Sequence, residues 1–571
     1  MPTTENTALL RGPPSLPSPA SSSGSRWDSG AEESRDEELD VANQAVTRKR
    51  ATAIALSVYV LIFLLAANMS GITMAQSSIA ADLDAYEEAM WFTTSFLVAM
   101  SSTSPLMGKL ATVFSPRAMM LVSSVLFSVG CLVTSMAPSF AVFILGRVIT
   151  GLGGGGTMVL SFILILELTT KRNRGFFIGL ANAGITTGVS LGAVFFGGLI
   201  GTTGWRPLFW AQTPVGLIAG CAIFLTVPGN LSAPSHFKQK GTVSLLTKLK
   251  QLDYLGALFL SATVVLFLFG LAGNIQLIPL ASSVGSLVIF VLIEKYFAFD
   301  PIVPLAVLQN RGALLSCVAQ LGFMASRWTV LFYAPMTALA VFGFNPAASG
   351  SILIPTNLGF GLGGLLVGAF HIRRAGSFWG ASIICFALFG ISILVLSVSS
   401  ASDCPFPLYV AVVFFNGLFA GGAMNYTLAH VLHLTLPETH YVATSLLGTF
   451  RGFAGSFGSA IGGGIFARSL RDSLERGLKG LDGTDHLGED REALVRKLIG
   501  SPLLVYHGDL TGPEHDVAVR GYSSALRVLF QAAFVLTVAV LVLQTATGWK
   551  GAAAESQYRA AEEDGVDSDS E

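Results

Sequence analysis

Charge is what this sequence has least of. Of its 571 residues only 12% are charged, about half the roughly 25% of an ordinary soluble domain. The shortage is concentrated. Residues 51–467 hold 17 Lys/Arg and 10 Asp/Glu, and the other 42 charges crowd into two tails and one late stretch. Hydrophobic residues reach 52%, which excludes a soluble enzyme and a disordered chain. The five cysteines are scattered, four of them inside apolar runs, so neither a disulfide framework nor a metal-ligand spacing is present. No apolar segment lies near the start, so no cleavable signal is expected. Short alternating strands of the membrane-barrel kind are missing as well. With a net charge of −1, no basic patch points to nucleic acid.

What the chain does have is long apolar runs. Fourteen are found near 52–76, 90–109, 118–137, 140–166, 176–200, 211–228, 254–273, 276–297, 312–342, 347–370, 377–399, 407–433, 441–467 and 523–547. Each approaches the roughly 20 residues that a helix needs to cross a bilayer, and a helix satisfies its backbone polar groups internally there. The positive charges agree with that count. If Arg48, Lys49 and Arg50 are cytosolic, the even-to-odd loops hold thirteen basic residues and the short opposite loops hold one, Arg206. Such asymmetry is the positive-inside pattern. It predicts two cytosolic tails and a polar stretch, 468–521, on the far side.

Three Arg residues, Arg147, Arg327 and Arg451, fall inside apolar runs. Each costs about 2.5–3.5 kcal/mol at mid-membrane on insertion scales, so each needs a polar cavity or a partner. For Arg147 and Arg451 a cavity or a span-to-span lock is favoured; Arg327 reads equally well as shifted toward an interface. Buried carboxylates are nearly absent, and Glu167 ends its span beside Lys171, Arg172 and Arg174, which reads as an interfacial salt bridge. Asn68, Gln76, Asn182, Gln320, Tyr333, Asn357, Asn416, Asn425 and Tyr426 supply polar groups within spans. Gly184, Gly188 and Gly192 stand four apart, a spacing that lets helices pack closely and slide. No phosphate loop follows the glycines, for they lack a Gly-Lys-Ser/Thr ending. His430, His433 and His440 have no carboxylate or thiolate to complete a metal site.

The chain also carries a weak internal repeat. Gly108-Lys-Leu-Ala-Thr-Val-Phe-Ser-Pro-Arg117 follows the second run, and Gly368-Ala-Phe-His-Ile-Arg373-Arg374-Ala-Gly376 follows the tenth, the half-to-half symmetry of transporters. The first of these resembles the loop motif of the major facilitator superfamily. Gly146-Arg147-Val-Ile-Thr-Gly151-Leu-Gly153 resembles its span-4 motif, and Gly184 through Gly198 is similar to its span-5 antiporter motif. Trp205-Arg206-Pro-Leu-Phe209-Trp-Ala-Gln-Thr-Pro214-Val-Gly216 resembles the signature entering span 6 in the fourteen-span drug:proton antiporters. Asp253-Tyr-Leu-Gly256, Pro301-Ile-Val-Pro304-Leu and Ser445 through Arg451 with Gly455 are similar to other stretches of that family. The resemblance covers about 50–547, and the fungal vacuolar basic amino acid transporters look most similar.

It implies an all-α polytopic membrane protein of the major facilitator fold: two six-helix bundles plus two additional central spans, fourteen in all. The expected division is a disordered acidic cytosolic tail at 1–50, an N-terminal bundle at 51–228, and a loop with inserted spans 7 and 8 at 229–298. A C-terminal bundle at 299–547 and an acidic tail at 548–571 complete it. The implied activity is alternating-access transport of a small organic solute, not enzymatic catalysis, by a monomer. Basic amino acids carried into a vacuole come ahead of plasma-membrane drug export, and a non-transporting receptor on the same fold is the rival of another class. Substrate would pass Asn68, Arg147, Asn182, Asn357, Asn425, Tyr426 and Arg451, while Gly108, Arg117, Gly184, Gly188 and Gly192 would serve the conformational change. No cofactor or metal is implied. The family's Asp in span 1 is Asn68 here and its loop Asp is Thr112, while the span-5 Gly-Pro is Gly192-Ala193 and the next Gly is Phe196. Asn68 cannot change charge, so the resemblance does not bring proton coupling with it.

Glu5-Asn-Thr-Ala-Leu9-Leu10 resembles a dileucine signal read by vacuolar or lysosomal sorting adaptors. We predict that replacing Leu9 and Leu10 by Ala moves a tagged protein from the vacuolar membrane to the cell surface; an unchanged location by microscopy ends the sorting assignment.

Overall fold

Helices account for nearly all of the regular structure. The computed structural model describes residues 48–168, 171–228, 253–273, 275–297, 311–371, 378–435, 440–484, 486–508 and 510–548. In chain order the helices are α1 (Arg48–Asp82), α2 (Trp91–Val113), α3 (Pro116–Ser135), α4 (Phe140–Leu168), α5 (Lys171–Thr203), α6 (Arg206–Trp210), α7 (Gln212–Thr226), α8 (Tyr254–Leu271) and α9 (Leu277–Tyr296). They continue as α10 (Arg311–Ala340), α11 (Pro346–Ser351), α12 (Leu353–Leu366), α13 (Trp379–Ser399), α14 (Phe406–Leu434), α15 (His440–Asp482), α16 (Glu489–Gly500), α17 (Leu504–His507) and α18 (Gly512–Thr545). A π-turn, Val367–His371, extends α12. The tail residues Glu5, Leu9 and Leu10 lie outside the described residues, as does the 229–252 loop.

Every expected apolar run coincides with a helix or an end-to-end pair of helices. Among the described residues, eleven helices are long and apolar enough to cross a membrane on length and composition. Three of the fourteen expected spans fall outside that set, for identifiable reasons. α2 is diluted by Ser and Thr, whose hydroxyls bond back to their own helix, as in Ser95 to the Trp91 carbonyl at 2.7 Å and Thr103 to Ala99 at 2.7 Å. The tenth run is broken into α11 and α12. The thirteenth, within α15, is diluted by Gly, Ser and Thr and by Arg451.

α1–α7 pack on one another, with the extensive contacts α1–α5, α3–α4 and α2–α4, and α10–α15 with α18 form a second bundle through α12–α14, α10–α15, α13–α14, α13–α18 and α10–α18. The pair α8–α9 lies outside both. α8 touches α2 of the first bundle and α15 of the second, with Val264, Leu268 and Ala272 buried against Ala460. The inserted pair therefore covers a seam between the bundles.

The stretch 468–521 departs from expectation, since it is largely helical. α15 runs on to Asp482 and α18 begins at Gly512. Leu470, Leu474 and Leu478, four apart on one face, are buried in the same core as Val517, Ala518 and Tyr522 of α18. Burying each such side chain is worth roughly 1.5–3 kcal/mol, and polar residues occupy the other face, which is why hydropathy alone read a loop. Glu514 and Thr511 form a capping box at the start of α18. Arg491 donates to both Asp482 oxygens at 3.0 Å and to Glu514; these bonds hold its guanidinium above its ordinary value.

This cap ties the two bundles together at the end opposite Lys109 and Arg117, which we term the far end. From the first bundle, Gln76 donates to the Gly500 carbonyl at 3.3 Å, and Ser77 Oγ accepts from the Leu503 amide at 3.4 Å. Arg471 pairs with Glu87 at 2.7 Å and Arg496 with Asp84 at 3.4 Å. From the second, Tyr506 donates to the Val341 carbonyl at 2.8 Å and Tyr522 to Leu498. Gly500 sits so close to the Tyr86 backbone that no side chain would fit. We predict that Ser77→Cys with Leu503→Cys forms a disulfide in the resting protein without added oxidant beyond air; failure to detect the linked peptides by mass spectrometry would contradict this closure.

Candidate functional site

The buried arginines organise one polar hub in each bundle. Arg147 of α4 is fully buried. It donates from Nε to the Phe92 carbonyl at 2.8 Å and from Nη1 to Asn68 Oδ1, and it lies 4.6 Å from the Phe96 ring centroid and 5.8 Å from that of Phe209. Asn68 Nδ2 donates onward to Gln212 Oε1 at 3.0 Å, and Gln212 to the Leu208 carbonyl at 2.9 Å. One guanidinium thus joins α1, α2 and α4, and through the amides α7. With no carboxylate in this hub, attraction comes from carbonyl dipoles and aromatic faces.

Arg327 of α10 plays the same part in the second bundle. It donates to the Thr356 carbonyl at 3.2 Å and its hydroxyl, to Asn357 Oδ1 at 3.3 Å and to Asn416 Oδ1 at 3.2 Å. Asn416 Nδ2 in turn donates to Ser392 Oγ at 2.9 Å. Arg327 is only 3% exposed, so the interfacial reading is replaced by a hub deep in α10. The hub also reaches across the molecule, for Asn357 Nδ2 donates to Ser190 Oγ of α5 at 2.9 Å, and Ser190 Oγ approaches the Leu353 carbonyl at 3.3 Å.

Arg451 of α15 is different. It is partly exposed, and among the described residues it has no hydrogen bond and no ion pair. Its helix face explains why. Toward the far end that face is pressed on α2: Ser459 Oγ is 2.8 Å from Thr94 Oγ1, Ser101 donates to Ser456 at 3.1 Å, and Gly455 lies against Leu97 and Trp328. Toward the end bearing Lys109 and Arg117, Thr444, Gly448 and Gly452 on the same face are exposed, and a Cβ on either glycine would meet nothing within 4 Å. The α5 side repeats the pattern. A Cβ on Gly350 would come within 2.7 Å of the Ala193 backbone and Gly197 allows no side chain against Pro346, whereas a Cβ on Gly179 would meet nothing within 4 Å. The bundles therefore enclose a cleft that is shut at the far end and open at the basic end.

The other expected residues are spread. Asn425 is partly exposed and donates to the Gly421 carbonyl at 3.1 Å, and Tyr426 is buried with its hydroxyl 2.7 Å from His371 Nδ1. Asn182 is partly exposed on α5, its carbonyl accepting from Thr186 Oγ1 at 2.8 Å. Gly184, Gly188 and Gly192 face Tyr59, Phe63 and Ala67 of α1 within the same bundle, and the close approach between bundles is made instead by Gly197 and Gly350. Gly108 has only Val159 nearby, at 3.6 Å, and Arg117 lies 5.2 Å from the Phe224 ring centroid. Composition gave no sign of Ser190, Thr356 or the Phe92 carbonyl, since nothing distinguishes one Ser, Thr or backbone oxygen from another. Among the described residues no group of three His, Cys, Asp or Glu side chains is placed to hold a metal. His430 contacts Thr547 Oγ1 at 2.9 Å instead.

A family description, Major Facilitator Superfamily, matches residues 56–309. Vacuolar basic amino acid transporter 1 of Saccharomyces cerevisiae is 29% identical over 291 residues, 51% of each chain. Efflux pump dotC of Dothistroma septosporum is 28% identical over 367 residues, 62% of this chain and 60% of that relative. Among solved structures, a bacterial homolog of the human lysosomal transporter Spinster, inward-facing and unoccupied, superposes with a TM-score of 0.60 at 12% identity. That match covers 88% of this chain and 99% of that one.

The contrast between the arginines is testable by stability alone. Arg327→Met strands the Thr356, Asn357 and Asn416 acceptors and is expected to destabilise by on the order of 2–4 kcal/mol. Arg451→Met removes no bond and is expected within about 0.5 kcal/mol of the parent. Equal midpoints for the two variants in detergent unfolding would refute the distinction.

Proposed function

We propose that this chain, which is similar to the major facilitator superfamily over residues 56–309, is a multi-pass membrane transporter that carries small organic solutes by alternating access, with basic amino acids moved into the vacuole as its physiological task. The observation that carries the cycle is the one-ended cleft. Its far end is closed by hydroxyl pairs, glycine contacts and the α16–α17 cap, and its basic end is open. The positive-inside pattern makes the basic end cytosolic, so this conformation would accept solute from the cytosol. Opening the other way requires Thr94–Ser459, Ser101–Ser456, Asn357–Ser190 and the cap contacts to break. Each is neutral or exposed and of modest strength, as a reversible seal needs to be. All fourteen runs crossing the membrane, with both tails cytosolic, accords with this topology.

The amino acid assignment draws support from the yeast vacuolar relative and from Leu9-Leu10. The dotC relative supports a second reading, efflux of a xenobiotic at the cell surface. Substrate path residues and proton coupling belong to the proposal too. Arg147, Asn68 and Asn357 are engaged in hubs, which suits them to holding helices during the motion, and with Asn68 unable to titrate, transport down a gradient without protons is the simpler cycle.

Uptake of labelled lysine, arginine and histidine into vesicles containing the protein tests both points. Uptake with and without a pH gradient should be similar. In the Ser77→Cys, Leu503→Cys double variant the disulfide should arrest uptake until a reductant is added. Uptake of none of the three would move the assignment to efflux, and dependence on the gradient would restore proton antiport.

A further inference from the structure

From the state of Arg451 we infer that it is the recognition site for a carboxylate on the transported solute, and that this carboxylate, not a cationic side chain, carries the affinity. The inference rests on the transport reading above and names the chemistry of that cleft.

The three membrane-depth arginines have been sorted by their surroundings. Arg147 donates from Nε and Nη1, and Arg327 from both Nη atoms, to carbonyl, amide and hydroxyl oxygens of their own bundles, leaving only Arg147 Nη2 buried without a bond. Arg451 has none of these, although it lies on a helix face, Gly448–Arg451–Gly455, that passes from open space to contact with Leu97 and Trp328. A guanidinium presents five donors in a planar fork that fits a carboxylate with two parallel bonds. Partly buried and with no partner among the described residues, it would gain one in an oxyanion entering the cleft, and a charge pair below the dielectric of bulk water is worth more than it is in water.

The counter-charges point the same way. α1 before Asp82, α2, α5, α10, α12, α14 and α15 before Asp472 contain no Asp or Glu, and in α4 the only one is Glu167 near its basic end. A second positive charge on a solute therefore finds no carboxylate at the level of Arg451. Lysine would bind by its α-carboxylate, its side chain tolerated in the open half of the cleft. The glycines leave room on that side: a Cβ on Gly448 or Gly452, either side of the arginine, would meet nothing within 4 Å.

Three probes that differ by one group test this on the purified full-length protein: lysine, 6-aminohexanoate, which lacks the α-amine, and cadaverine, which lacks the carboxylate. A ligand of the folded state raises the thermal midpoint, and the rise grows with the logarithm of its concentration once that exceeds the Kd. Lysine and 6-aminohexanoate should both raise it, and cadaverine should not. Arg451→Gln should weaken the two carboxylates by on the order of tenfold or more, and Arg451→Lys should retain part of the effect, since it keeps charge but loses the fork. The inference is overturned if cadaverine stabilises as well as lysine, if Arg451→Gln binds as the parent does, or if no carboxylate stabilises the parent. It is also overturned if phosphatidic acid added to neutral detergent stabilises through Arg451 while the carboxylates do not, which would make the site a lipid contact. Lysine uptake that survives Arg451→Gln would sink this inference and leave the transport reading standing. Binding of 6-aminohexanoate through Arg451 without any amino acid uptake would do the reverse.

Discussion

A guanidinium cannot sit in hydrocarbon without partners, and the architecture of this protein follows from how three of them are treated. Arg147, through Nε and Nη1, and Arg327, through both Nη atoms, bond neutral oxygens recruited from several helices at once, so each acts as a cross-tie within its bundle. Neutral partners matter. A carboxylate would bind more tightly, but each ion of a buried pair also costs several kcal/mol of desolvation; amides and carbonyls satisfy the geometry without a second buried charge. With each bundle tied internally, motion is left to the surface between them.

Hydroxyl pairs, backbone approaches at glycine and a few exposed ion pairs meet across the far end, beside apolar side chains of both bundles and the cap, such as Ile79, Met336 and Ile499, that share one buried cluster. The Arg327 hub alone extends across, through Asn357 to Ser190, so the element that stiffens the second bundle also registers whether the two are together. The inserted α8–α9 pair covers the α2–α15 seam on its outer side, and the α16–α17 cap covers the far end. Both extra elements sit where two rocking bodies would otherwise part.

Much of this was legible along the chain. The apolar runs located the long helices, because a backbone in lipid has few alternatives. Arg147, Arg327 and Arg451 stood out because charge is so rare between 51 and 467. Their differing roles were not legible. Arg327, read as interfacial as readily as buried, lies deep with both Nη atoms engaged, and Arg451, read alongside Arg147, has no partner among the described residues. The glycines at 184, 188 and 192 announced close packing but not with which helix. The stretch 468–521 was read as polar loop because its apolar residues are spaced at four and so never form a run.

The shortage of charge thus determined, without any coordinates, that the protein lives in a membrane and which few side chains are worth following. Tertiary structure alone decided which of those side chains are engaged and which remains available. The reason is physical: a buried polar group is defined by its partners, and the partners of Arg147 and Arg327 are backbone carbonyls, hydroxyls and amides contributed by helices tens of residues away, groups that every segment possesses and that only packing selects.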